Sequence, residues 1–596
     1  MIPNKDILSW LAFALDSIRI DLRAPYVFRD QFSGKHADEE YEKARAWYLA
    51  QHASVVGSEA QQQRVYEQVL RGFFETLPLA ARQVDDNQTS FYTSLIELIA
   101  DPMKCIEALT DPFFGPNTEL LFHNIRTTLA ENKKTARAGN PRETVYAYLK
   151  GTPFMIEKRS YLFEEKAIPL HLNKRNEHHW IVAPSGSGKS VAITHLVMTD
   201  IKKVVAEDKG CVVIMDSQSE LIDQISRFKG FLDMADKFLM IDAADLIPIN
   251  LFSMGKKRRT NEALVNHTLD LLLYCFNSLV ETELTAKQTT FFNSIIRVCM
   301  EIPNATLDTF RDFLEDKHEQ YAPYIAKAGK ETQHWFETQY LDKGQYGSTK
   351  QEVSWRLKRL RDASVFDRMF SANPSDFDFF EELGKSQVIF IDTDKELLGD
   401  RTEIFGRMWI ALLLQASQQR AAIAKADRAQ VYFYIDEVGD YIETDEKIAT
   451  ILDQARKMNI GMILAHQRMS NIKSPNVRDA LANCAIRMSR ATDDSTVAHA
   501  LRVPPPFIHD QPKGSFALYV REVTPHAVSV QFPLLHLDRH AMSDSEYQKL
   551  LASSRARFKV QPIESIERQE YEPTPEEDEP PPEPKVKKGR KLDPSF

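Results

Sequence analysis

The sequence predicts an α/β fold in which a mostly parallel sheet is covered by helices on both faces. Three observations point to it. Short, continuous apolar runs recur along the middle of the chain and alternate with helical stretches, the pattern of strands buried on both sides. The first of these runs ends in a glycine- and serine-rich turn that opens directly into a helix. Between Lys256 and Phe380 the runs stop while helical periodicity continues, which marks an inserted helical domain, because compact domains rarely hold long structureless loops.

A chain of 596 residues is too long for one hydrophobic core, so two or three folded units with connectors are expected. Hydrophobic residues at 43% and charged residues at 27% match a globular protein rather than a disordered one. A formal net charge of -10 excludes a protein that coats nucleic acid through a broadly basic surface, and leaves room for local basic channels. Cys105, Cys211, Cys275, Cys299 and Cys484 are scattered with no Cys-x-x-Cys pair, which suits a reducing compartment and argues against structural zinc. The first residues lack the basic end of a signal peptide, and Asp6, Asp16 and Arg19 interrupt the apolar positions that follow. No run of about 18 apolar residues occurs, so no membrane span is expected. The expected location is the cytoplasm, or the inner membrane's face as a peripheral subunit.

Residues 1–160 read as helix after helix, for example Glu39–Gln51, Glu59–Leu77 and Thr89–Ala100, with apolar positions every three or four residues. They carry no chemical motif, and a helical docking, oligomerisation or DNA-contacting domain is expected. Residues 161–255 and 381–550 form the sheet domain. There Ala167–Leu172 alternates like a strand, Trp180–Ala183 is a short apolar run, and buried strands are expected at Cys211–Met215, Phe238–Ile241, Gln387–Ile391, Val431–Ile435 and Gly461–Ala465. Residues 256–380 form the all-helical insertion, with periodicity over Leu264–Val280 and Phe291–Ile302. From about residue 560 the chain is rich in Glu and Pro and ends in the basic run Lys585–Lys591, a composition that buries no core and predicts a disordered tail.

The turn after Trp180–Ala183 has the chemistry of a phosphate-binding loop. It comprises Ala183, Pro184, Ser185, Gly186, Ser187, Gly188, Lys189 and Ser190, and Val191 continues the helix. Gly186 and Gly188 let backbone N–H groups turn toward phosphate, and the helix start adds the positive end of its dipole. Lys189 is expected to reach the β and γ phosphates of ATP, and Ser190 to ligate Mg²⁺. Ala183 stands where the strict consensus has Gly.

The second half of the site is the apolar strand Val431–Ile435 followed by Asp436 and Glu437. Asp436 is expected to hold Mg²⁺ and Glu437 to polarise the attacking water, a pairing that reads as hydrolysis. Gln467 closes the next apolar strand, where open parallel sheets place ligand-facing residues, and is a candidate γ-phosphate sensor. Arg456 is either an arginine finger toward a neighbouring subunit or a plain surface arginine. Spacing does not separate these readings.

In order, Trp180–Ser190, Cys211–Asp216-Ser-Gln-Ser-Glu220-Leu, Tyr434-Ile-Asp-Glu, Ala455-Arg-Lys-Met-Asn-Ile-Gly and Leu464-Ala-His-Gln-Arg resemble the HerA/FtsK superfamily of P-loop ATPases. Within it the chain looks most like type IV coupling proteins and related conjugation ATPases. The resemblance covers roughly Ala167 to Arg521. It implies a RecA-like sheet and a ring, commonly hexameric, that binds ATP between subunits and moves DNA, with a membrane-associated secretion or transfer complex as a further partner. It also implies that Arg456 acts as the finger, that Gln467 is the sensor, and that Arg487 and Arg490 approach nucleotide. The chain departs from the family in three places. Asp216-Ser-Gln-Ser-Glu220 replaces Asp-Pro-Lys-Gly-Glu, His466 stands where Thr or Ser is common, and the membrane-spanning N-terminal segment of many coupling proteins is missing.

Lys256–Arg259 and the group Arg356, Lys358, Arg359 and Arg361 are the basic candidates for DNA phosphates within a ring, or else solvated helix faces. The competing functions are a type IV secretion ATPase acting on protein substrates and a nucleotide-dependent scaffold.

Overall fold

The computed structural model describes residues 5–18, 29–55, 58–78, 90–116, 118, 121–137, 141–155, 161–169, 172–242, 247, 249, 252, 266, 269, 273, 285–361, 369, 377–442 and 448–558. Its strands are β1 (Ser90–Ser94), β2 (Glu165–Pro169), β3 (His179–Val182), β4 (Cys211–Asp216), β5 (Phe238–Asp242), β6 (Gln387–Asp392), β7 (Val431–Ile435), β8 (Ile460–His466), β9 (Ile486–Ser489), β10 (Ser515–Val520) and β11 (Val528–Gln531). Strands β3 to β11 form one sheet in the order β11-β10-β9-β3-β8-β7-β4-β6-β5. From β9 to β5 every pairing is parallel, whereas β10 and β11 add on antiparallel. The continuous apolar runs are therefore the sheet's interior, and β3, β4, β7 and β8 are buried along their whole length.

Alternate residues of these strands feed two cores. Trp180, Val182, Val213, Met215, Phe433, Ile435, Met462 and Leu464 pack with the helices Ala286–Glu301, Leu307–Leu314 and Thr402–Gln419. Ile181, Val212, Ile214, Tyr432, Tyr434, Ile463 and Ala465 pack on the opposite face with the helix Lys189–Glu207 and with N-terminal residues such as Ile7, Val69 and Phe113. The N-terminal helices thus share a core with the sheet. Among the described residues, no helix is long and apolar enough to cross a membrane.

A buried ion pair ties the helix Lys189–Glu207 to this sheet. Arg175 makes a two-pronged contact with Asp200 on that helix, 2.7 Å for each N···O pair, and its guanidinium lies 4.5 Å from the centroid of the Tyr432 ring on β7. The Tyr434 hydroxyl, also on β7, donates to the same carboxylate. Such fork-to-fork pairing fixes angle as well as distance, so the loop's helix and the strand leading to Asp436 are locked in register.

Two expectations need correction. Thr89–Ala100 was expected to be helical, but Ser90–Ser94 is strand β1 and only Leu95–Leu98 is helix. Phe91 and Thr93 are buried while Tyr92 between them is exposed, a period of two that dominates this aromatic and β-branched stretch. The Ala167–Leu172 strand ends at Pro169, Leu172 already belongs to the helix Leu172–Asn176, and the strand pairs antiparallel with β1 in a separate two-stranded sheet. Of the expected helix Leu264–Val280 only residues 266, 269 and 273 are described. Lys256–Arg259 and the acidic, Pro-rich tail lie outside the described residues.

Candidate functional site

The loop between β3 and the helix Lys189–Glu207 lies at the carboxyl edge of the sheet. Gly186 (φ 73°) and Gly188 (φ 93°) sit in the left-handed region that residues with a side chain avoid, and Gly188 caps the helix. Ala183, where Gly is usual, is buried and its N–H donates to the His466 carbonyl oxygen at 3.2 Å, continuing the β3–β8 pairing. Lys189 opens the helix, and Ser190 and Val191 follow on its first turn.

Lys189 is buried and its ammonium meets both carboxylates after β7, at 2.7 Å from Asp436 Oδ1 and in contact with Glu437 Oε1. Two stretches some 250 positions apart in sequence therefore converge on one cation. Burial works against the charge on Lys189, but Asp436 and then Glu437 outweigh it and hold the ammonium above its ordinary value. Burial pushes the Glu437 carboxyl up, with Lys189 opposing, a direction that suits a proton acceptor. Asp436 is fixed by its N–H to the Met215 carbonyl (2.9 Å), and its Oδ1 accepts the Glu437 N–H at 3.0 Å. Glu437 itself has φ 51°, an uncommon conformation for a non-glycine residue of the kind that gathers at functional sites. The Val438 N–H donates to the Ala465 carbonyl of β8 at 2.8 Å, so the turn cannot relax away from the sheet. Gln467, just past β8, lies beside the Glu437 side chain and weakly opposes the rise of its carboxyl.

The segment Asp216-Ser-Gln-Ser-Glu220 adds polar groups beside this cluster. Asp216 accepts the N–H groups of Gln218 (2.9 Å) and Leu221 (3.0 Å), Ser217 Oγ donates to Asp440 (2.8 Å), and Ser219 Oγ donates to Asp392 (2.7 Å). The strand register sets Asp216, Asp392 and Asp242 side by side. Burial and then the charge of Asp436 push the Asp216 carboxyl up to about 6. Burial, opposed by the Ser219 hydrogen bond and reinforced by Asp242 and Asp216, pushes Asp392 up to about 7 from its ordinary 3.8.

The sign of the consequence follows from linkage. A carboxyl whose folded value is raised binds its proton more tightly in the folded state, so its charged form costs stability above about pH 7, and the cost vanishes by about pH 4. Asp392→Asn, which still accepts from Ser219, is expected to raise the nucleotide-free melting temperature by a few degrees at pH 8 and leave it unchanged near pH 4. Calorimetric scans at the two pH values check this.

Arg456 is not part of this cluster. It lies in the last turn of the helix Ile448–Lys457, is half exposed, and pairs with Glu177 at 3.2 Å at the amino-terminal end of β3. Arg521 reaches the same glutamate at 3.5 Å. The length of β8, about 20 Å at roughly 3.3 Å per residue, separates Arg456 from the loop of its own chain. Of the two arginines near β9, Arg487 turns away, donating to the carbonyls of Cys484 (2.8 Å) and Ala500 (2.6 Å), while Arg490 donates to the Ser187 carbonyl inside the loop. Among the described residues Arg490 Nε is buried without a hydrogen-bond partner. Of the two arginines that the resemblance pointed to, Arg490, placed immediately after a strand beside β3, thus meets the loop and Arg487 does not. Lys358 is exposed on the helix Lys343–Arg361 with Nζ 5.9 Å from the Trp355 ring centroid, and the side chains of Arg356, Arg359 and Arg361 lie outside the described residues.

No family model matches the chain, and no curated protein matches it. Among solved structures its fold is similar to plasmid coupling protein TrwB in complex with ADP and Mg²⁺, at 14% identity and TM-score 0.44, covering 62% of this chain and 88% of that one. It is similar to VirB4 of Thermoanaerobacter pseudethanolicus at 14% identity and TM-score 0.41, covering 64% and 95%. A shorter match is the genome packaging NTPase B204 of Sulfolobus turreted icosahedral virus 2 in complex with AMP, at 17% identity and TM-score 0.18, covering 25% and 69%.

Proposed function

We propose that this chain is an ATPase that hydrolyses MgATP at the sheet edge formed by Lys189, Ser190, Asp436, Glu437 and Gln467, and that a ring of copies uses the cycle to move DNA. The observation that supports hydrolysis is the convergence of a phosphate-loop lysine, two carboxylates and a glutamine at one point. The residues fit the substrate. A buried lysine, a loop held open by two left-handed glycines and a helix start all favour an anion. Ser190 and Asp436 are the side chains that would hold Mg²⁺, which supplies charge neutralisation at the phosphate oxygens.

In this reading Lys189 exchanges its carboxylate partners for the β and γ phosphates, which leaves Glu437 free to take a proton from water. Gln467, beside Glu437, reports whether the γ phosphate is present. Arg456 serves only a neighbouring subunit, because its own nucleotide site lies a full strand length away. Glu177 holds the arginine until that neighbour docks.

Support for DNA as the moved substrate comes from the order of motifs and the helical insertion, so the test addresses it directly. MgATP turnover of the purified chain is measured with and without single- and double-stranded DNA, beside Lys189→Ala. Severalfold stimulation that Lys189→Ala abolishes is the expected result. Turnover indifferent to DNA removes the translocation reading and turns attention to a protein substrate, whereas turnover indifferent to Lys189→Ala removes the site.

A further inference from the structure

β8 ends at His466, which is fully buried and bonded to three parts of the site. Its carbonyl oxygen accepts the N–H of Ala183, the first residue of the phosphate loop. Its Nε2 lies 2.8 Å from Nε1 of Trp180 on β3. An indole nitrogen only donates, so Nε2 must accept and the proton of the neutral ring must sit on Nδ1. Nδ1 lies 3.0 Å from the Arg468 carbonyl oxygen, which only accepts. Each nitrogen therefore faces the one kind of partner it can use, and a single tautomer satisfies both. A second proton would set N–H against N–H. Burial also disfavours the cation and, against the opposing bond to Arg468, lowers the ring to about 4.

Gln467 lies between the two anchored points, His466 before it and the Arg468 carbonyl after it, and its side chain lies beside Glu437. We infer that His466 is a positioning residue for hydrolysis: its imidazole, set in one tautomer by Trp180, donates to the Arg468 carbonyl and pins the Gln467 turn to the end of β8, so that Gln467 meets Glu437 in register with Lys189. A threonine or serine offers one oxygen, on a shorter side chain, where the imidazole offers a fixed acceptor on one side and a fixed donor on the other. The inference rests on the hydrolytic reading of the site, and it assigns a role to a position where the chain departs from the motif it resembles.

The test uses the intact chain and measures MgATP turnover and MgATP affinity separately for His466→Asn, His466→Gln, His466→Phe and Trp180→Phe. Asparagine places an amide N–H where Nδ1–H stands and can still donate to Arg468, whereas glutamine reaches the Nε2 position and faces Trp180. His466→Asn is expected to keep kcat within about threefold of the parent, while His466→Gln and His466→Phe fall by about tenfold or more, as expected of a misplaced catalytic group. MgATP affinity stays within about twofold in all of them, and Trp180→Phe, which leaves the Arg468 bond in place, lowers kcat less than His466→Phe. Equal kcat for the Asn, Gln and Phe variants overturns the inference, and so does a loss of affinity that parallels the loss of kcat. If His466→Phe does not fold, the contrast between Asn and Gln decides. Glu437→Gln is measured beside them: full turnover there sinks the hydrolytic reading itself, a failure distinct from an indifferent position 466.

Discussion

Replacing Glu437 by glutamine is expected to cut MgATP turnover by about 10²- to 10⁴-fold, the span of general-base catalysis, while MgATP affinity stays level or tightens slightly. Glutamine keeps the shape of the side chain beside Gln467 but no longer accepts a proton at neutral pH. Tightening is expected because Lys189 is paired with two carboxylates, and every phosphate that enters competes with them for the ammonium. Removing one competitor lowers that cost. Single-turnover hydrolysis separates the chemical step from binding, and an unchanged rate would mean that Glu437 is only a counter-ion to Lys189.

Lys189→Ala is expected to act on both function and fold. The loss of a charged donor to phosphate should weaken MgATP binding by roughly 10- to 100-fold. It also leaves Asp436 and Glu437, both buried, without the cation that compensates them. Breaking a buried pair from one side typically costs about 3–5 kcal/mol, and the lower end is expected because the loop edge admits water once the side chain is gone. Chemical denaturation of the nucleotide-free chain measures this. Adding Glu437→Gln to Lys189→Ala should recover part of the loss, because one of the two uncompensated charges disappears, so the effects of the two changes are not additive. Simple additivity would mean that the three side chains do not form one electrostatic unit.

The sheet was legible because its strands are buried on both faces: Cys211–Asp216, Val431–Ile435 and Ile460–His466 show unbroken apolar runs ending in polar groups at one edge. The same rule places Lys189, Asp436 and Gln467 together, since parallel strands end in the same direction. Edge and satellite strands were harder to read. Ser90–Ser94 is five residues long within a helical neighbourhood, and its partner Glu165–Pro169 is some 70 positions away; alternation marked the partner, whereas the short alternation of Phe91 to Thr93 was masked by the helical pattern around it. β10 and β11 went unassigned because they add on antiparallel at the edge, and in β11 only every second residue is buried. The contacts of Arg490 with Ser187 and of His466 with Trp180 belong to the third dimension alone. A single histidine at a strand end reads the same whether it fills space or, as here, pins two loops.

The most direct test of the central claim is the structure of the Glu437→Gln chain with MgATP bound. It is expected to show Lys189 Nζ moved from Asp436 onto the β and γ phosphates, Mg²⁺ between Ser190 and Asp436, and Gln467 beside the γ phosphate. Nucleotide bound elsewhere, or Lys189 still held by Asp436 with MgATP present, would contradict it.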